Sequence, residues 1–191
     1  MLKTVDFYYF SPTGGTKKAI TAVVYGVRAY EDALIELNDI MKNSGFEVIA
    51  SAALIAQHSI VSEVGAGRPN QADIAEIQKY AKHILNAIED DKTGSVTVPG
   101  NRPYKESMKA SVTPISLSMC SECGYCVLAC PTEAISLTSD GVVTDIEKCM
   151  MCMTCVAKCP TQSRILPPQH QAGIAEKLSI FKDVHRKNEF F

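Results

Sequence analysis

Eight cysteines, all lying between Cys120 and Cys159, restrict this chain more than any other feature. They form two copies of one pattern. Cys120, Cys123, Cys126 and Cys130-Pro131 recur 29 residues later as Cys149, Cys152, Cys155 and Cys159-Pro160. A disulfide scaffold is short, exported and spreads its cysteines along the chain; here none precedes Cys120 in 191 residues. Zinc sites use cysteine pairs separated by a dozen or more residues. Three cysteines followed by Cys-Pro, and all of it repeated, exceed what a tetrahedral ion needs. The spacing C-x2-C-x2-C-x3-C-P is that of [4Fe–4S] ligation. Three thiolates from one short loop wrap three corners of a cubane, and the fourth, carried off by the helix that follows, reaches the other cluster. That crossing predicts one cluster on Cys120, Cys123, Cys126 and Cys159 and another on Cys149, Cys152, Cys155 and Cys130. Pro131 and Pro160 stop the short helices.

The composition narrows the rest. A hydrophobic fraction of 46% with 21% charged residues is that of a folded protein rather than a disordered one. A net charge of −2 and the lack of a Lys/Arg run give no reason to expect nucleic acid or a membrane surface. No apolar stretch approaches the ~20 residues of a membrane span. The first residues, MLKTVDFYYFSP, lack a basic segment, an apolar core and a small-residue cleavage site, so the cytoplasm is the expected location. Neither G-x-S-x-G nor H-E-x-x-H occurs, and with every cysteine claimed as a ligand, hydrolysis is not expected.

Along the first hundred residues, strand and helix patterns alternate. Residues 4–10, TVDFYYF, read as a buried strand that runs into a Gly-containing turn and a helix start at 17–20. Residues 21–26 form a second short apolar run bounded by Gly26. From Glu31 to Ser44, Ala33, Leu34, Leu37, Ile40 and Met41 fall at helical spacing, with Gly45 as a stop. Phe46 to Leu54 reads as a strand. Ile74, Ile77, Ala81, Ile84, Leu85 and Ile88 mark another amphipathic helix, capped by Asn70 with Asp73 in its first turn. This is the pattern of an α/β domain with a parallel sheet, over residues 1–92. Residues 93–111, with Gly94, Pro99, Gly100 and Pro103, show neither period and read as a linker. A cysteine-bearing domain at 112–168 and a helical tail at 169–191, striped by Ile174, Leu178, Phe181 and Val184, complete the expected organisation.

Between the cysteine repeats, Ile135 and Leu137 face Val142 and Val143 across Asp140-Gly141, a hairpin signal. Two loops, two hairpins and two short helices in pseudo-symmetric order resemble the bacterial ferredoxins. The resemblance covers residues 117–166 and implies that family's α+β fold.

Ser11-Pro12-Thr13-Gly14-Gly15-Thr16 follows a strand and precedes a helix start. Such a turn is either an ordinary connection or a cradle of backbone N–H groups and hydroxyls for a phosphate. It looks like the [ST]-x-T-G-x-T loop with which flavodoxins hold the phosphate of FMN. Tyr25-Gly26-Val27-Arg28-Ala29-Tyr30 and an amphipathic helix, then His58-Ser59 and Gly67-Arg68-Pro69, look like the second half of a flavodoxin-like domain. With the ferredoxin repeat, nearly the whole chain is similar to flavodoxin–ferredoxin fusion proteins common in anaerobes. The resemblance implies that Ser11, Thr13, Gly14, Gly15 and Thr16 hold the FMN phosphate, and that Gly26, Arg28 and Tyr30 sit near the flavin ring. His58 lies nearby, where a structural histidine is the better reading.

The chain departs from that family in one respect. Only Lys17 to Ile20 separate Thr16 from Thr21, whereas a parallel crossover needs about a dozen residues. The middle strands of a flavodoxin-like domain are missing, so either residues are lost at the Ile20–Thr21 join or the domain is a remnant without flavin. The first reading is favoured, and it requires a break or an impossible geometry at that join. The expected function is electron transfer through two [4Fe–4S] clusters, exchanging with FMN, as a carrier or as a component of a flavin-dependent oxidoreductase with a redox partner protein. The alternatives are a ferredoxin docked to a larger enzyme by a flavin-free domain, and a binding protein stapled by clusters.

Overall fold

The structure, a computed structural model, describes residues 17–106 and 109–191. The phosphate-loop candidates Ser11, Thr13, Gly14, Gly15 and Thr16, and the strand expected at 4–10, lie outside the described residues. The chain divides into two compact units. Among the described residues, one holds 17–58, 62–106 and 180–191, and the other holds 59–61 and 109–179.

The first unit is built on β1 (Lys17–Tyr25), α1 (Ala33–Asn43) and β2 (Phe46–Ile55). β1 and β2 run parallel with α1 as the crossover packed on both. β1 is one unbroken strand through Ile20–Thr21, which overturns the expected break at that join. Lys17–Ile20 are strand, not a helix start: a parallel partner of ten residues supplies ladder bonds that a four-residue helix could not match. The only irregularity is a register shift between Ala19 and Ile20, where Val48 is followed by Ala50 in the pairing. Ala19, Thr21 and Val23 are buried while Ile20 and Val24 are exposed, the period of two expected when one face of a strand is covered.

Leu34, Leu37 and Met41 of α1 are buried with Val48 and Ala50 of β2. Within this core Thr21, Asn38 and Ser51 form a closed polar knot. Thr21 Oγ1 donates to Asn38 Oδ1 at 2.6 Å, Asn38 Nδ2 donates to Ser51 Oγ at 3.0 Å, and the two hydroxyls are 2.8 Å apart. Their mutual bonding removes the penalty of leaving buried polar groups unpaired. α2 (Gln71–Glu89) starts where its cap predicts: Asn70 Oδ1 accepts from the amides of Ala72 and Asp73, and Asp73 accepts from the Asn70 amide.

The sheet is mixed rather than wholly parallel. A short strand near the end of the chain, Glu189–Phe190, pairs antiparallel with Ala52 and Ala53 of β2. Asn188 locks it there, accepting from the Ile55 amide and donating to Asp73 and Glu76. The described sheet thus does not establish the expected flavodoxin-like architecture. The expected linker also contains anchored chain: Asp32 accepts from the amides of Asn101 and Lys105, and Asp39 accepts from Arg102 and Tyr104.

In the second unit, β3 (Ile115–Ser116) pairs antiparallel with β6 (Arg164–Ile165), and β4 (Ile135–Thr138) with β5 (Gly141–Thr144). The hairpin turns on Ser139 and Asp140, one residue earlier than expected, because Gly141 already pairs with Thr138. Two four-residue helices, α3 (Tyr125–Leu128) and α4 (Thr154–Ala157), follow the cysteine loops. α5 (Pro168–Leu178) opens the expected tail but ends before Phe181 and Val184. Glu189–Phe190 is β7, and no helix among the described residues is long and apolar enough to cross a membrane.

Candidate metal centre

The two cysteine loops are the same structure twice. Each needs three residues in left-handed backbone conformation, and these recur at the spacing of the repeat: Glu122 with Met151, Gly124 with Met153, Glu133 with Gln162. Gly124 takes φ of +72° without strain, whereas Met153 takes +61° with a side chain. Val127 and Val156 bond back to the carbonyls of Gly124 and Met153, both at 3.0 Å. α3 and α4 then occupy equivalent positions and deliver Cys130 and Cys159 just beyond their ends.

The fourth cysteine of each motif receives hydrogen bonds that favour its thiolate. The Ala134 amide donates to Cys130 Sγ and the Ser163 amide to Cys159 Sγ, each at 3.3 Å. The hydroxyls of Thr132 and Thr161 lie 3.7 and 3.6 Å from the same sulfurs. Burial pushes both thiols up, but these hydrogen bonds together bring Cys130 and Cys159 below their ordinary range. The thiolate is the form that binds metal.

Cys126 and Cys155 are buried and pack with Ile135, flanked by Val127, Cys130, Val142 and Val156. Burial raises both thiols, and the charge of Arg164 opposes the rise in each case. Cys120 acts on Cys126, and Cys149 and Cys152 act on Cys155, by like-charge repulsion. One cavity is lined by Cys149, Cys152 and Cys155 of the second motif together with Cys130 of the first. Ile135, Met153, Pro114 and Thr144 are among its other lining residues. Among the described residues no three His, Cys, Asp or Glu side chains are arranged to hold a single metal ion. Four sulfurs around a common apolar cavity suit a polynuclear cluster.

Of the residues expected near a flavin ring, Gly26, Arg28 and Tyr30 follow β1 at its carboxyl end. A Cβ on Gly26 would stand 2.8 Å from His58 Cδ2. Arg28 pairs with Glu31 at 2.6 Å and Tyr30 donates to Glu189 at 3.0 Å. Each side chain thus has a partner within the protein.

Sequence reasoning passed over Arg164. It is 2% exposed and the largest fully buried side chain among the described residues. The signal was available, since the repeat sets Arg164 against Ile135. No curated protein matches the chain. Residues 113–166, which hold all eight cysteines, match the family described as the 4Fe-4S dicluster domain, and this segment is a ferredoxin-type dicluster domain.

Proposed function

We propose that the chain passes single electrons through two [4Fe–4S] clusters held by crossed ligand sets: Cys120, Cys123, Cys126 with Cys159, and Cys149, Cys152, Cys155 with Cys130. The observation that carries the assignment is the cavity that Cys130 shares with the three cysteines of the other motif. A bound [4Fe–4S] cluster accepts and releases one electron. The protein supplies eight thiolates, amide donors to Cys130 and Cys159, and an apolar wall that keeps water away. Hydrogen bonds to sulfur and exclusion of water are recognised levers on cluster potential.

Anaerobic quantitation of iron and sulfide, with low-temperature EPR of the reduced protein, tests the reading. About eight of each per chain and two interacting paramagnets are expected. Reconstituted protein holding only mononuclear metal, or none, would remove it.

The partner in this reading is a redox protein, with an FMN in the first unit as the finer proposal. Gly26 and His58 meet at the carboxyl ends of parallel β1 and β2, where ligands of open α/β sheets bind. The β-branched Val27 there holds φ of +67° while 1% exposed, a conformation concentrated at functional sites. Flavin extraction after reconstitution with FMN decides it: flavin-free protein with full clusters favours the docking-domain alternative.

A further inference from the structure

The internal repeat makes one departure at its centre. Ile135 of the first half is buried against Cys126 and Cys155, and 29 residues on, the chain places Arg164. The guanidinium donates to Ser116 Oγ at 3.0 Å, to the Pro114 carbonyl at 2.9 Å and to Thr144 Oγ1 at 2.7 Å. These bonds use Nη1 and Nη2. Nε–H is the one buried side-chain nitrogen or oxygen among the described residues without a partner. None of the acceptors is a carboxylate, and none of the ion pairs among the described residues includes Arg164.

A buried cation with no anion is among the most unfavourable arrangements a core can hold. A tether between β3 and β5 alone would not require a charge, since neutral donors of a side-chain amide can bond two of these three acceptors. The negative charge facing this guanidinium is that of the cysteine sulfurs. Two of the guanidinium's acceptors, Pro114 and Thr144, line the cavity of Cys130, Cys149, Cys152 and Cys155, and its charge acts on Cys126 of one ligand set and on Cys155 of the other.

We propose that Arg164 is a positioning residue for electron transfer, a fixed buried cation that raises the reduction potentials and separates them by acting most on the Cys155 ligand set. The inference rests on the two-cluster reading. Each one-electron reduction adds one negative charge to a centre already carrying four thiolates. A nearby guanidinium stabilises that product over the oxidised form, and it does so more strongly in the dry interior than in water. Ile135, its counterpart, offers no such charge.

The test uses the full-length holoprotein and its Arg164→Met, Arg164→Gln and Arg164→Lys variants, with an electrode as the one-electron donor. Iron content, protein film voltammetry and EPR-monitored titration are read on each. The neutral variants should lower the equilibrium constant for reducing the Cys155-set cluster about tenfold, about 59 mV for one electron, and the other cluster less. Arg164→Lys should keep the equilibrium constant within about threefold. A neutral variant with full iron and unchanged potentials overturns the proposal, even if its melting temperature falls. Should no neutral variant retain clusters, wild-type protein with guanidino-15N arginine is examined by pulsed EPR. A 15N coupling on the reduced cluster is expected, and its absence overturns the proposal. Wild-type protein that never assembles clusters would instead remove the function proposed above.

Discussion

The backbone amide of Ser163 donates to the sulfur of Cys159 at 3.3 Å, repeating in the second motif the bond that Ala134 makes to Cys130 in the first. Equal distances at equivalent positions mean that the fourth cysteine of each motif is held by the loop of its own motif. Cys130 also shares a cavity with Cys149, Cys152 and Cys155 of the other motif. The crossed ligation proposed above predicts paired losses.

Cys130→Ser and Cys149→Ser should each remove the same cluster, and Cys159→Ser and Cys120→Ser the other. Each variant should hold about half the wild-type iron, and the EPR signal that survives should match within a pair and differ between pairs. Surviving signals that instead pair Cys130 with Cys120 would show that the ligands do not cross.

Gly100 stands with φ of +142° where an added Cβ would lie 2.4 Å from Ile35 Cγ2. Gly100→Ala combines a disfavoured backbone with overpacking, and should destabilise by ~3 kcal/mol. Its neighbours make the Asp32 and Asp39 contacts, so the expected result in thermal melting is a lower Tm with early exchange of the Asn101 and Lys105 amides. Iron content should not change.

Asn188 satisfies the Ile55 amide and two carboxylates at once. Truncating it leaves a buried N–H without an acceptor, so Asn188→Ala should lower stability by ~2 kcal/mol. Urea unfolding checks the size, and a loss no larger than that of an exposed surface substitution contradicts the account.

Burial, helped by the positive charge of Arg28, holds His58 below its ordinary pKa. The folded state therefore binds a proton less readily than the unfolded chain. The stabilisation is complete above the unfolded value of about 6.5 and falls as pH drops through it towards the folded pKa. NMR titration of the His58 ring should give a midpoint below 6.5, and His58→Phe should flatten the decline in Tm between pH 7 and pH 5.

Local rules made much of this legible. The cysteine spacing is a loop-scale constraint, and the loops close as the spacing requires. α2 was announced by the Asn70 cap and its apolar period. What escaped was decided at long range. Lys17 and Lys18 resemble a helix start, yet they join β1 because Phe46 and Glu47 pair with them. β7 is two residues long and exists only because β2 offers an edge. Arg164 drew no reading from the sequence, although it stands in the repeat where Ile135 does, and the structure buries it.

The chain crosses between its two units on both sides of the dicluster segment, since 180–191 return to the sheet that 17–106 begin. A single protease nick in one crossing would leave the cluster-bearing part covalently held through the other, and cutting both would leave β7 held to β2 by non-covalent contacts alone. The electron-carrying module is thus spliced into the path of its neighbour rather than appended to it, and removing it means resealing a sheet.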